Sequence, residues 1–175
     1  MVAAPDIRPL ALLDADAVLA LYRAASAPPG SGLSRRPPEY DLAAVQARIS
    51  DPDFLCLGAF RAGSLVGELH CRRMTPAQFR GILTDLTVAT APQAQGQGVG
   101  TALFQALFLE ADRRGVRRIE LMTRSGNLSV RRLYARLGFV EEGRLVGRVR
   151  LADGAVEDDI PMAWSAGAPS GPERA

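Results

Sequence analysis

Three glycines stand at alternate positions in the segment PQAQGQGVGTALFQAL, residues 92–107, where an apolar pattern of helical period begins. They are Gly96, Gly98 and Gly100, and glycine is among the poorest helix formers. At the start of a helix, glycines let the backbone approach a ligand and leave the first N–H groups free. Those N–H groups and the helix dipole favour a phosphate. The segment therefore predicts an anion site at a strand-to-helix junction, with a flexible, glycine-capped loop as the alternative.

Two other kinds of phosphate-binding loop fit this segment poorly. The P-loop requires a Gly-Lys-Ser/Thr sequence, and the chain contains no lysine. The dinucleotide fingerprint G-x-G-x-x-G requires glycine at the position of Thr101 and usually opens a domain, whereas several strand-like segments come first here. A dinucleotide enzyme therefore stays open only as a weak alternative.

The order of predicted elements indicates a mixed sheet with helices on its faces. Before the glycines, the patterns predict a short strand at residues 7–10, a helix capped by Asp14, a long proline-rich loop, a helix capped by Asp41 and a three-stranded meander. After the glycines they predict a helix, a strand at 117–123, a helix over 127–137, and two strands at 139–151 and 156–164.

Composition limits the number of domains, the partners and the compartment that we expect for this chain. A chain of 175 residues with 47% hydrophobic content can fold as one domain, which we place at residues 1–165, with a disordered tail at 166–175. The 21 basic and 19 acidic residues nearly balance, which argues against a nucleic-acid partner. No segment has the length or hydrophobicity of a membrane span or a secretion signal, so we expect a cytoplasmic protein. Cys56 and Cys71 are expected to be small buried hydrophobes.

Two segments resemble hallmarks of the GNAT superfamily of N-acetyltransferases. QGQGVGTAL fits the signature Q/R-x-x-G-x-G/A at Gln95, Gly98 and Gly100. GNLSVRRLYARLGFVEEGR looks like the second hallmark, with Asn127 seven residues before Tyr134 on a helix that ends in Gly-Phe. The resemblance implies a GNAT-like α/β (α+β) fold: a mixed, mostly antiparallel central sheet of about seven strands, helices on both faces, and a splayed strand pair that holds the cofactor.

The resemblance also implies acetyl-CoA as co-substrate, with no metal. In the family, backbone amides of the glycine segment hold the pyrophosphate, the strand before it pairs with the pantetheine arm, and the asparagine binds cofactor amides. Carried onto this chain, the binding residues are Val88, Ala89, Thr90, Gln95, Gly96, Gln97, Gly98, Val99, Gly100, Thr101 and Asn127. Thr90 replaces the usual aliphatic residue, which affects side-chain packing more than contacts made by the backbone.

Tyr134 resembles the general acid of the family, which protonates the departing CoA thiolate. From spacing alone it would be a core tyrosine on an amphipathic helix, and the motif favours the catalytic role. Asn127 could likewise serve as a helix N-cap, and we favour the cofactor role.

The general base is not determined by the sequence. Relatives with a carboxylate on the strand before the glycines have it where Leu86 or Thr87 stands here. Asp85 is adjacent, while Glu68 and His70 share one face of their strand, which we expect to be a solvated face. Water or bulk solvent is therefore the preferred proton acceptor, with these three residues as alternatives.

The sequence also leaves open which molecule accepts the acetyl group and whether the protein is catalytic. The resemblance implies direct attack by a primary amine in a ternary complex, and the amine could belong to a small molecule, an amino-acid-like compound or a peptide N-terminus. The proline-rich loop and the acidic run Glu157–Asp159 could steer a cationic amine. A non-catalytic acyl-CoA sensor or assembly module is the alternative function, and a homodimer stays open.

Overall fold

A computed structural model describes residues 3–28, 31–151 and 153–167 of the chain. The strands are β1 (Asp6–Pro9), β2 (Phe54–Arg61), β3 (Ser64–Arg73), β4 (Ile82–Thr90), β5 (Arg118–Arg124), β6 (Val140–Glu141), β7 (Leu145–Arg150) and β8 (Val156–Ser165). The helices are α1 (Ala15–Ser26), α2 (Leu42–Ser50), α3 (Val99–Arg113) and α4 (Leu128–Arg136). Positions 29–30 of the proline-rich loop, and the predicted tail from position 168 onward, lie outside the described residues.

The strands form one sheet in the order β1-β2-β3-β4-β5-β8, and β6 and β7 both pair with β8. Every pairing is antiparallel except that of β4 with β5. The mixed, mostly antiparallel sheet predicted above is therefore confirmed, with eight strands rather than about seven.

The extra strand arises because the segment predicted as one strand at 139–151 is two. Glu142 N donates to Pro161 O over 2.9 Å, but proline has no N–H to return the bond. The ladder along β8 is interrupted there, which separates β6 from β7.

The parallel pair β4 and β5 separates soon after it begins. Only Ile82 with Arg118 and Leu83 with Ile119 are paired, although β4 continues to Thr90 and β5 to Arg124. Beyond Leu83 the two strands diverge and leave a wedge-shaped opening in the sheet. The predicted splayed strand pair is thus present.

Helices cover both faces of the sheet, and the sequence of β3 alternates between them. A Cβ placed on Gly67 would touch Val99 and Leu103 of α3, whereas the next residue, Glu68, contacts Tyr22 of α1. The α3 face continues into α4 through Phe104, whose ring meets that of Tyr134 at a centroid distance of 5.5 Å. Apolar side chains from both faces form the core.

Of the two predicted helix caps, one is present and the other is not. Asp41 caps α2 as predicted, accepting from Ala44 N at 2.8 Å. Asp14 precedes α1 but its side chain does not cap that helix. It instead accepts two bonds from Arg8, each 2.8 Å long, because the guanidinium offers a better partner than the helix amides.

The cysteines agree with another expectation. Cys56 and Cys71 are buried free thiols, as predicted, and burial raises the pKa of each to about 12. Within the described ranges, no helix is long and apolar enough to cross a membrane.

The close approach of β3 to α3 predicts a stability effect at Gly67. An alanine Cβ there would lie 2.5 Å from Val99 Cγ1, a stiff β-branched side chain in the first turn of α3. We expect Gly67→Ala to lower the free energy of unfolding by about 1–3 kcal/mol, measured by urea denaturation. Gly143→Ala is the control, because its Cβ would meet only Pro161 Cγ at 3.6 Å. Equal stability of the two variants would contradict the predicted packing.

Candidate functional site

The glycine segment forms a bare helix N-terminus. Gly96 and Gly98 have left-handed backbones, with φ of 72° and 79°, which favours glycine at both positions. Gly98 is the N-cap of α3 and has no side chain to bond the helix amides. The bond from Ala102 N to Gly98 O, 3.0 Å long, closes the first helical turn. The N–H groups of Val99, Gly100 and Thr101 precede it and have no intrahelical acceptor.

The space outside this helix terminus is open. A Cβ built on Gly96, Gly98 or Gly100 would meet nothing within 4 Å. Free amides, the positive end of the dipole of α3 and room for an anion therefore coincide, which is the arrangement that suits a pyrophosphate.

Gln97 is the predicted binding residue whose side chain turns away from this opening. Its Oε1 and its backbone carbonyl both accept from Arg61 at the end of β2, and its Nε2 donates to Gln93 O at 2.7 Å. These bonds fix the loop from the side opposite the opening. Arg61 was not identified from the sequence, since nothing local to residue 61 signals a partner 36 positions later.

The remaining predicted residues line one continuous cleft of about 1610 Å³. It runs from the glycine segment through the opening between β4 and β5 toward α1 and α2. Its walls include these predicted binding and catalytic residues: Val88, Ala89, Thr90, Gln95, Gly96, Gly98, Val99, Gly100, Thr101, Asn127 and Tyr134. Gln97 is the predicted binding residue that does not line it.

A β-bulge in β4 faces the same cleft. Thr84 pairs with Arg72 and Thr87 pairs with His70, so three steps along β4 oppose two along β3. Asp85, inside the bulge, has a left-handed φ of 54° and an exposed side chain. A bulge removes backbone groups from the ladder and re-aims side chains, and here it does so where β4 leaves β5.

Tyr134 projects from α4 into the cleft and is mostly buried. Its ring packs between Phe104 and Phe139, with centroid distances of 5.5 and 5.8 Å. Burial raises the pKa of its hydroxyl to about 12. The hydroxyl makes no hydrogen bond with any residue that the structure describes. A protonated donor without an internal acceptor thus lies in the cleft.

Asn127 acts as the N-cap of α4. Its Oδ1 accepts from Val130 N at 3.4 Å and from Ser129 Oγ at 3.3 Å. Its Nδ2 lies against Gly32, 2.9 Å from where a Cβ would stand. The capping role set aside in the sequence analysis is therefore present, and the amide also contacts the loop between α1 and α2.

The expectation that Glu68 and His70 occupy a solvated strand face is wrong. Glu68 is fully buried and His70 is 8% exposed, because α1 and α2 cover this face of β3. The Tyr22 hydroxyl donates to Glu68 Oε2, and His70 Nδ1 lies 3.2 Å from each Glu68 oxygen and 3.1 Å from the Tyr22 oxygen. His70 and Tyr22 also line the cleft.

Arg48 of α2 completes this buried cluster. Its Nη2 lies 4.0 Å from Glu68 Oε1, and its guanidinium carbon lies 5.6 Å from the centre of the Tyr22 ring. The contacts of Tyr22 and Arg48 with Glu68 were not identified from the sequence. A general rule could have suggested such a partner for Tyr22, because a buried tyrosine hydroxyl usually makes a polar contact.

Two carboxylates of the acidic run Glu157–Asp159 are already engaged with neighbouring groups. Asp158 accepts from Arg144 and from Gly147 N, and Asp159 lies 3.7 Å from Arg148. The acidic run expected to steer a cationic amine is therefore largely neutralised by neighbouring arginines.

Arg124, at the end of β5, holds the proline-rich loop over this end of the cleft. It donates to the carbonyls of Ser31 and Leu33 at 3.4 and 3.0 Å. Among the described residues, no group of three or more His, Cys, Asp or Glu side chains is placed to hold a metal ion.

Residues 18–139 match the family model described as the Acetyltransferase (GNAT) family. Among solved structures, a Brucella melitensis ribosomal-protein-alanine N-acetyltransferase is 28% identical, with a TM-score of 0.78 over 91% of this chain and 99% of that chain. A GNAT-family acetyltransferase from Streptococcus pneumoniae is 21% identical, with a TM-score of 0.81 over 92% of this chain and 99% of that one.

A phosphinothricin acetyltransferase from Sinorhizobium meliloti, solved with acetyl-CoA, is 18% identical, with a TM-score of 0.82 over 93% of this chain and 89% of that chain. At this low identity the likeness concerns the fold.

The burial of the tyrosines predicts how the protein responds to alkali. Burial is the main cause that raises the pKa of Tyr22, Tyr40 and Tyr134, the three tyrosines of the chain. Ultraviolet difference spectra of the folded protein should therefore show no tyrosinate step near pH ~10, whereas the unfolded chain should show it.

Because each folded pKa lies above the unfolded one, this contribution to stability is complete below pH ~10 and is lost as the pH rises further. A tyrosinate step of ordinary pKa in the folded protein would contradict the burial described.

Proposed function

The chain belongs to the GNAT acetyltransferase family, and we propose that it transfers the acetyl group of acetyl-CoA to a primary amine by direct attack in a ternary complex. The observation that carries the proposal is the shared cleft. A helix N-terminus with free amides opens into the gap between β4 and β5, and Tyr134 lies in the same cleft. A phosphate site, a slot for an extended chain and a proton donor are thus contiguous.

The cofactor would lie across the residues inferred from the sequence. The amides of Gly96 to Thr101 would bind the pyrophosphate, and the open space beside the three glycines fits this group. Past Leu83, the edge of β4 that faces away from β3 pairs with no described strand, so Val88–Thr90 can pair with the pantetheine arm as an added strand. When bound, acetyl-CoA supplies an acyl carbon that is activated by its thioester bond.

Tyr134 would act as the general acid. Its hydroxyl is protonated at neutral pH, like that of any tyrosine, and burial raises its pKa further; no described residue accepts a hydrogen bond from it. It can therefore donate to the sulfur that departs when the C–S bond breaks. Its ring is held by Phe104 and Phe139, which fixes the direction of the hydroxyl.

The acceptor amine would enter from the end of the cleft formed by α1, α2 and the proline-rich loop. A small amine, an amino-acid-like compound and a peptide N-terminus all remain within the proposal, and residues 1–165 would form the catalytic domain. A screen of acceptor amines that measures free thiol released from acetyl-CoA tests it. Tight, saturable CoA binding without thiol release for any amine would favour the sensor or assembly module instead.

The glycine segment predicts a charge-dependent loss of cofactor affinity. A Cβ at Gly100 would meet no other described residue within 4 Å, and the backbone there is not left-handed, so Gly100→Glu should fold normally. A glutamate in the first helical turn also interacts favourably with the helix dipole. We expect Gly100→Glu to bind CoA at least about tenfold more weakly than Gly100→Gln, because its carboxylate repels the pyrophosphate.

Isothermal titration calorimetry compares the two variants, which match in size and differ in charge. Equal affinities in the two folded proteins would place the pyrophosphate elsewhere.

The general-acid role predicts a turnover defect for Tyr134→Phe. The ring and its packing remain, so acetyl-CoA affinity should stay nearly unchanged while kcat falls by roughly ten- to a thousandfold. Steady-state rates at saturating substrates, with calorimetric cofactor affinity, separate the two effects. Full turnover with chemistry rate-limiting would show that another group protonates the thiolate.

A further inference from the structure

We infer that His70 is the general base of this acetyltransferase, taking the amine proton at Nε2, and that Glu68, Tyr22 and Arg48 position it. The inference rests on the proposed function and adds to it the group that the sequence left undetermined. The inference depends on four side chains from three elements: Glu68 and His70 of β3, Tyr22 of α1 and Arg48 of α2.

The surroundings of Nδ1 fix the tautomer of His70. Nδ1 lies 3.2 Å from both carboxylate oxygens of Glu68, and the Tyr22 hydroxyl oxygen is 3.1 Å away. An ionised carboxylate only accepts hydrogen bonds, so Nδ1 must carry a proton to face it. In a neutral imidazole the other nitrogen, Nε2, is then the acceptor. Nε2 makes no hydrogen bond with a described residue, and His70 lines the cleft.

The charge on Glu68 requires compensation that the cluster supplies. A fully buried carboxylate is costly unless it is paired and hydrogen-bonded. Tyr22 donates to one oxygen, and the Arg48 guanidinium approaches the other at 4.0 Å. Arg48 Nε and Nη2 are buried and make no hydrogen bond to the rest of the described chain, so Glu68 is the carboxylate that offsets this buried cation. The Arg48 cation therefore balances the charge of Glu68 without a second cation in the cluster.

The position of His70 suits the reaction. His70 pairs across the sheet with Thr87, the residue before the Val88–Thr90 stretch proposed for the pantetheine arm. It lies on the face covered by α1 and α2, whereas Tyr134 belongs to the opposite helix layer, and both line the same cleft. A base on one side of the bound thioester and an acid on the other would suit the reaction, because one proton leaves the amine and one reaches the sulfur.

The proton balance closes with these two groups. An acceptor ammonium gives one proton to His70 Nε2, and the resulting amine forms a C–N bond with the thioester carbon. As the C–S bond breaks, the thiolate takes a proton from Tyr134. The nitrogen loses a second proton on becoming an amide, which restores Tyr134. His70 returns its proton to solvent, so one proton is released in each turnover.

Several ionisable or charged groups surround His70 from the elements packed against it. Arg72 follows on the same face of β3, above the Phe54 ring that contacts His70. Among the described residues, these groups include Glu68 and Arg72 of β3, Tyr22 of α1, Arg48 of α2, Cys56 of β2, Tyr40 beside Tyr22, and Asp85 of β4. Asp85 is the carboxylate of this group that lines the cleft, so it is the alternative base to test.

The pH dependence of kcat/KM tests the assignment with four variants. We expect His70→Gln to lower kcat/KM by about 10²- to 10⁴-fold at neutral pH and to abolish the acidic limb, with acetyl-CoA affinity retained. Glu68→Gln and Tyr22→Phe should shift that limb, because they alter the tautomer and charge next to the base. Asp85→Asn should keep the parent profile, and asparagine tolerates its left-handed backbone.

Chemical rescue separates a base from a structural residue. Imidazole added to His70→Ala should restore part of the lost rate, which a merely structural defect would not allow. A His70→Gln enzyme that keeps the acidic limb, or an Asp85→Asn enzyme that loses it, would overturn the assignment. Failure of the parent to acetylate any amine would overturn the proposed function itself, whereas an active parent with an unaffected His70→Gln variant overturns the role of His70 alone.

Discussion

The separation of β4 from β5 is the constraint on which the rest of the site depends. Two residue pairs, Ile82 with Arg118 and Leu83 with Ile119, hold the strands together before they diverge. The divergence leaves strand edges without partners in the middle of a sheet, where unpaired backbone groups are costly unless something binds them. The same gap receives the glycine-capped terminus of α3 and the Tyr134 hydroxyl. The proposed cofactor slot, the proposed phosphate site and the proposed acid therefore share one origin in the topology.

Much of this arrangement could be predicted because its signals are local. Three alternating glycines indicate a bare helix terminus wherever the chain places it, and the structure gives Gly96 and Gly98 the left-handed backbones that favour glycine. The strand and helix order likewise follows from periodicity, and Asp41 caps α2 as its position predicts. At Asp14 the local signal failed because a partner outside the helix, Arg8, engages the carboxylate.

The cluster around Glu68 could not be predicted because its members are far apart in the sequence. Alternation along β3 shows that Glu68 and His70 share a face, but not which face the helices cover. Its partners lie 46 positions away at Tyr22 and 20 away at Arg48, and tertiary packing alone brings them together. In the structure Glu68 and His70 are buried rather than solvated, and His70 lies against Glu68 and Tyr22. The split between β6 and β7 is similar, because it depends on Pro161 in a different strand.

We propose that the terminus of α3 and the free edge of β4 hold the cofactor. Amide chemical-shift mapping by NMR during addition of acetyl-CoA tests this binding site. We expect the largest shifts at the amides of Gly96–Thr101 and Val88–Thr90, with little change at Gly63 and Gly115, two glycines in turns outside the cleft. Shifts concentrated outside the cleft, or an unchanged glycine segment at saturating acetyl-CoA, would contradict it.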